Sequence, residues 1–271
     1  MAVRALFAGV VSGAASALAL RLLRDVPPGG RDVWDRTNHA GETVSLLEGP
    51  AFVAGSSLVA AAAGPGPLVA ALGAGSLGAL DDLAGDSRSK GLKGHLGALA
   101  RGEVTTGAVK VLGLGVTGVL ASALIDSRGR AGTGQPLAAL DTLVGGAVIA
   151  GTANLLNLLD LRPGRALKAT VIVGALTAAD RRAEVVSGAA VGAAAALLGP
   201  DLAGETMLGD TGANSAGALL GSALVARSGR RGRLAALAVL TCLTLASERV
   251  SFTRVIESTP GLRELDALGR S

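Results

Sequence analysis

Apolar runs recur along the whole chain with short polar connections between them, at about Val3 to Leu23, Ala51 to Ala63, Pro67 to Leu80, Thr106 to Ile125, Pro136 to Leu156, Ala166 to Ala178, Val185 to Leu198, Ala213 to Val225 and Leu234 to Ala246. Each reads as a membrane-spanning helix, so the pattern predicts a polytopic bundle of about nine transmembrane helices. Several runs fall short of the roughly 20 residues a span usually needs, which predicts thin, tilted or flank-extended helices. No linker, low-complexity tail or sizeable soluble stretch interrupts the array, so residues 1–271 are expected to form one all-α integral membrane domain.

The polar connections predict an orientation. With the N-terminus outside, the segments Asp25 to Pro50, Asp81 to Thr105, Leu159 to Arg165, Gly199 to Thr211 and the tail from Ser247 share the inner face. That face then collects Arg21, Arg24, Arg31, Arg36, Arg88, Lys90, Lys93, Arg101, Arg162, Arg165, Arg249, Arg254, Arg263 and Arg270, as the positive-inside rule expects of a cytoplasmic side. The stretch RSGRRGR, Arg227 to Arg233, falls outside and objects to the scheme. The first run has signal-peptide features but reads as an uncleaved span, because Arg21 and Arg24 follow it directly.

Composition agrees with the pattern: 49% hydrophobic and 17% charged residues, with a mean hydropathy of +0.51, suit a chain in the plasma membrane rather than a soluble domain. The net charge of +4 does not point to nucleic acid, because Lys and Arg cluster in the short connections. Aromatic residues are too few to mark the membrane interfaces. Forty-one glycines include pairs four apart, Gly9 and Gly13, Gly188 and Gly192, Gly217 and Gly221, which predict close helix packing or simply reflect a GC-rich genome. The single Cys242 excludes disulfides and thiolate metal sites within one chain.

Four polar clusters fall on the inner face. The first, DDLAGDSRSKGLKGH, opens with Asp81 and Asp82 at the end of an apolar run. An aspartate near hydrocarbon costs roughly 2.5 to 3.5 kcal/mol. The negative end of the helix dipole adds to that cost, and a hard cation would cancel both. Lys90, Lys93 and His95 follow, able to hold phosphate oxygens or to bind anionic headgroups. The second cluster, NLLNLLD, places Asn154, Asn157 and Asp160 within an arc of roughly 120 degrees on one helix, either lining a cavity or bridging helices. The third, MLGDTGANSAGALLG, sets Asp210 before a helix of small residues, where it can cap the helix and face an anionic ligand. The fourth, RDVWDRTNHAGETVSLLEGPA, groups Trp34, Arg36, Asn38 and His39, which can bind a nucleotide, a sugar or a lipid phosphate, or fold over the membrane face.

In order, a DD pair, an N-x-x-N-x-x-D helix end and a G-D-x-G turn on one face of a multispan chain resemble the polyprenyl-phosphate N-acetylhexosamine-1-phosphate transferase superfamily, over nearly the whole chain. The resemblance implies a Mg2+-dependent enzyme that moves a sugar-1-phosphate from a UDP-sugar to a polyprenyl phosphate with release of UMP, in cell-envelope glycan synthesis. It implies catalytic roles for Asp81, Asp82 and Asp160, metal binding by Asp210 with help from Asp82, and substrate contacts from Asn154 and Asn157. Related enzymes also suggest a homodimer. Members usually carry a histidine motif in a late inner loop, whereas here no histidine follows His95. In its place stands SERVSFTRVIESTPGLRELDALGR, where Arg249 and Arg254 are the candidates to bind phosphate. The alternative is a catalytically silent relative acting as a membrane scaffold or lipid-carrier binding protein.

Overall fold

The computed structural model describes residues 3–37, 41–84, 106–129 and 139–270. Each apolar run corresponds to one helix: α1 (Val3–Asp25), α2 (Glu48–Ala63), α3 (Pro65–Ala84), α4 (Thr106–Gly129), α5 (Ala139–Leu159), α6 (Arg165–Thr177), α7 (Glu184–Leu202), α8 (Gly209–Arg227) and α9 (Arg230–Ser247). Two short helices, α10 (Phe252–Ser258) and α11 (Leu262–Ala267), follow. Strands β1 (Asp35–Thr37) and β2 (Thr43–Ser45) form an antiparallel pair between α1 and α2.

The protein is an all-α bundle of membrane type. Five helices, α1, α3, α4, α5 and α7, are long and apolar enough to cross a membrane, and α9 with α10, bent by 95°, makes a sixth if the pair counts as one. The expected number of about nine is not reached by length and composition. Two of the remaining helices are short: α2 has 16 residues and α6 has 13. The third, α8, packs against α3 and α5 and is buried almost throughout. A helix surrounded by protein is selected for small side chains rather than for hydropathy, which is why α8 carries Asn214, Ser215 and Ser222. The outer helices show the opposite selection. Leu6, Phe7 and Val10 of α1 are 58%, 71% and 63% exposed, and such a surface suits an apolar solvent.

Small residues set the packing. Gly9 and Gly13 of α1 lie against the backbone of Gly188 and Gly192 of α7, so closely that a Cβ at Gly192 would collide with the Gly9 carbonyl. Gly217 and Gly221 of α8 meet the backbone of Ala153 and Ile149 of α5 in the same way. All three glycine pairs seen in the sequence are therefore packing sites.

At one end of the bundle, Arg233 forms a buried bidentate pair with Asp126, which also accepts a bond from Thr142. Arg230 pairs with Asp141 beside it. Two arginines of the RSGRRGR stretch thus have acidic partners, but the positive-inside rule counts Lys and Arg whatever their partners, so the stretch still objects to the charge-based orientation. At the opposite end, about 22 Å away along α8, the β-hairpin forms a small roof. Ser45 bridges to Thr206, with Ser45 N–H donating to Glu205 O and Met207 N–H to Ser45 O. Trp34 is buried under this roof and donates to Pro28 O at 2.7 Å.

Candidate functional site

The site starts from a close crossing of α3 and α8. Gly78, one turn before the DD pair, has no side chain, and a Cβ there would collide with the Asp210 carbonyl. That approach brings the end of α3 onto the first turn of α8. The residue at the α8 N-cap is Leu208, whose side chain cannot accept a bond. Asp82 supplies the cap from outside: one carboxylate oxygen accepts Asp210 N–H at 3.0 Å, and the other accepts Thr211 N–H at 2.9 Å and Thr211 Oγ1–H at 2.6 Å. An anion at a helix N-terminus is favoured by both the free N–H groups and the dipole.

This arrangement corrects one expectation and bears on another. Asp210 sits inside the first turn of α8 and does not cap it. Asp82, expected to share the metal, has both oxygens engaged with α8.

The Asp81 and Asp210 carboxylates turn instead toward Lys110 of α4. Its ammonium lies 3.2 Å from Asp81 Oδ2 and also donates to Asp210 Oδ2. Lys110 is the residue that motif reading missed. The signal was present, because a lysine interrupts the apolar run from Thr106 to Ile125 and charges within spans are rare and usually placed for a purpose.

Asp160 follows the last residue of α5, and its N–H donates to Leu156 O and Asn157 O. Burial, followed by the neighbouring Asp201 and Asp210 carboxylates, raises its pKa well above the ordinary carboxylate value, while a backbone N–H from Gly209 opposes the rise. Burial and crowding together make the charged form of Asp160 costly.

A cavity of about 480 Å³ lies under the roof, lined by Arg36, Leu46, Asp81, Asp82, Asn157, Leu158, Asp160, Leu161, Met207, Gly209 and Asp210. Arg36 reaches down from β1 and donates to the Asp82 carbonyl at 2.7 Å. A second cavity of about 250 Å³ shares Asp81, Asn157, Leu158 and Asp210 and adds Lys110, Val111, Leu114, Asn154, Thr244, Ser247 and Glu248. The first is acidic, and the second is a mixed apolar and polar space beside α9.

The structure thus brings Asp81, Asp82, Asp160, Asp210, Asn154, Asn157 and Arg36 to adjoining cavities. Arg249 and Arg254 are exposed and line neither of them. Lys90, Lys93, His95, Asn38 and His39 lie outside the described residues.

Among the described residues, no group of three or more His, Cys, Asp or Glu side chains is arranged to hold a metal ion. Mg2+ rarely needs such a group, since one or two carboxylates together with substrate phosphates complete its shell. Asp81 and Asp210 are the two carboxylates here that converge on one point, which the Lys110 ammonium occupies.

Compared with protein-family models and with curated proteins, the chain matches none.

Proposed function

We propose that the protein transfers a sugar-1-phosphate, an N-acetylhexosamine phosphate by resemblance, from a UDP-sugar to a polyprenyl phosphate and releases UMP. The observation that carries this reading is the meeting of Asp81, Asp82, Asp160 and Asp210, from three separate stretches of chain, around one cavity at the end of an apolar bundle. Anionic walls are a poor match for a phosphorylated substrate unless a divalent cation joins them, and a membrane-embedded bundle gives a long prenyl chain its solvent.

In the reaction, a phosphate oxygen of the lipid forms a bond to the β-phosphorus of the UDP-sugar, and the bond to the α-phosphate oxygen breaks as UMP leaves. The lipid phosphate, with a second pKa near 6, is largely ionised at neutral pH, so positioning matters more than base catalysis. Asp81 and Asp210 would hold Mg2+, which supplies charge neutralisation at the phosphates. Lys110 holds these two carboxylates at one point and can donate to a phosphate oxygen. Asp82 fixes the first turn of α8, and with it Asp210. Asn157 and Asp160 offer polar groups to the nucleotide from α5, and Arg36 offers its guanidinium from the roof. In this reading all nine helices α1–α9 cross the plasma membrane, with the cavities facing the cytoplasm, where UDP-sugars are made.

The test is purified protein incubated with a panel of UDP-sugars, polyprenyl phosphate and Mg2+. UMP release that stops on chelation and falls at least about a hundredfold in Asp210→Asn supports transfer. One observation favours a second reading: Lys110 already occupies the point between Asp81 and Asp210 and offsets one of their two charges. A silent lipid-carrier binding protein would bind the UDP-sugar or the lipid and release no UMP.

A further inference from the structure

Beyond α9 the chain turns through 95° into α10 and runs across the same end of the bundle as the cavities. The side chains of α10 and α11 contribute almost nothing to a hydrophobic core. No residue of α10 is buried, and the one buried residue of α11 is a carboxylate, Asp266. Val255, Leu262 and Leu265 are exposed. The segment is therefore held by polar bonds, and these converge on one short stretch.

Arg165 Nε donates to Asp266 Oδ1 at 2.7 Å, and Arg165 Nη2 donates to Oδ2 at 3.0 Å. The two side chains are only 5% and 7% exposed. Arg165 Nη1 also donates to Thr253 Oγ1, and Lys168 Nζ donates to the carbonyls of Leu265 and Asp266. Arg162 pairs with Glu257 at 2.9 Å. All three basic partners lie just after Asp160 and Leu161, which line the larger cavity. The other end of the tail leaves Ser247 and Glu248, which line the smaller one. The tail thus ties the wall of one cavity to the wall of the other.

The kind of bond matters. An apolar contact could hold the tail at many angles, whereas a bidentate guanidinium–carboxylate pair fixes distance and direction together. Between Asp160 and Arg165 the chain makes a tight turn through Gly164, whose φ of 75° lies in the left-handed region. With α5 holding one end of this turn and Asp266 holding Arg165 at the other, the turn has little freedom left.

We propose that Asp266 is a positioning residue, which through Arg165 sets the turn that presents Asp160 to the cavity. Its catalytic consequence rests on the transferase reading; its effect on the turn does not. The C-terminal tail is accordingly part of the site, although its side chains touch no reacting atom.

Two measurements test this on the full chain. In UMP release, Asp266→Asn lowers kcat by about ten- to a hundredfold, as small misplacements of a catalytic group do. Asp266→Glu, which keeps the bidentate pair, restores most of the rate. Loss of rate equal in both variants, or no loss in Asp266→Asn, would overturn the proposal.

The second measurement needs no activity. With Cys242 replaced by Ser, a nitroxide is placed at Leu161→Cys and, as a control, at Leu120→Cys on the exposed face of α4. Asp266→Asn is expected to sharpen the spectrum at 161 and leave the spectrum at 120 unchanged. An unchanged spectrum at 161, or equal loosening at both positions, overturns the proposal. If the wild-type protein releases no UMP from any UDP-sugar, the transferase reading fails and the spectra still decide whether Asp266 sets the turn.

Discussion

Lys110 has two neighbours of opposite charge and occupies the point that the proposed function assigns to Mg2+. Removing its ammonium leaves Asp81 and Asp210 facing each other in a half-buried space. Lys110→Ala is therefore expected to lower stability by about 1–2 kcal/mol, less than a fully buried pair would lose. Added Mg2+ should recover that loss, measured as the thermal unfolding midpoint with and without the ion. A midpoint in Lys110→Ala that ignores Mg2+ would place the cation elsewhere. Asp82 has a different task, and its removal should show differently. Asp82→Ala frees two N–H groups and a hydroxyl at the start of α8, for an expected cost of about 1–2 kcal/mol that Mg2+ does not restore. Side by side, the two variants separate neighbours that look equivalent in the sequence. The DD pair was legible as a candidate site because charge near hydrocarbon is costly. Its division of labour was not, because nothing local to Asp82 reveals a helix end arriving from 128 residues away.

Helix by helix, the close approaches make sharper predictions than the hydrophobic contacts do. Gly192→Ala places a methyl group on the Gly9 backbone and should destabilise the α1–α7 crossing by about 1–3 kcal/mol. Gly115→Ala on α4 meets nothing within 4 Å, so it should be neutral or stabilise by up to about 1 kcal/mol. Unfolding of the two variants in one detergent gives the comparison directly. The tail responds to acid instead. Although burial of Asp266 works against ionisation, its bonds to Arg165 and Arg270 hold the pKa below the ordinary carboxylate value. A depressed pKa gives stability that is complete above the unfolded value, about 3.9, and is lost as the pH falls through the folded one. Limited proteolysis with an acid-active protease should therefore find the tail protected at pH 5 and released only well below about pH 4. Every helix from α1 to α9 was legible as an apolar run. The tail's attachment was not, because Arg165 and Asp266 are ordinary surface residue types whose partnership exists only after folding.

For the whole molecule, the cavities sit at one end of the bundle and the buried Arg233–Asp126 pair at the other. The chain contains a single tryptophan, Trp34, buried beneath the roof that carries Arg36. Its fluorescence should change on addition of a UDP-sugar with Mg2+ and stay constant in Arg36→Ala, if the roof closes on the nucleotide. The membrane character of the fold was plain from composition. The number of crossings is less plain, because α2 and α6 are shorter than a usual span and the buried α8 is selected for small residues more than for hydropathy.

The α1–α7 crossing also bears on how the protein is made. Gly9 and Gly192 meet in the finished bundle, yet the ribosome produces them about 180 residues apart, which at 5–20 residues per second takes on the order of ten to forty seconds. Throughout that interval α1 can pack against α2, whose Gly55 lies on Ser12 and Ser16, while the Gly9 face waits for α7. Until α7 is made, α2 is the only one of these two packing partners that α1 can have, so the α1–α7 crossing closes late in synthesis.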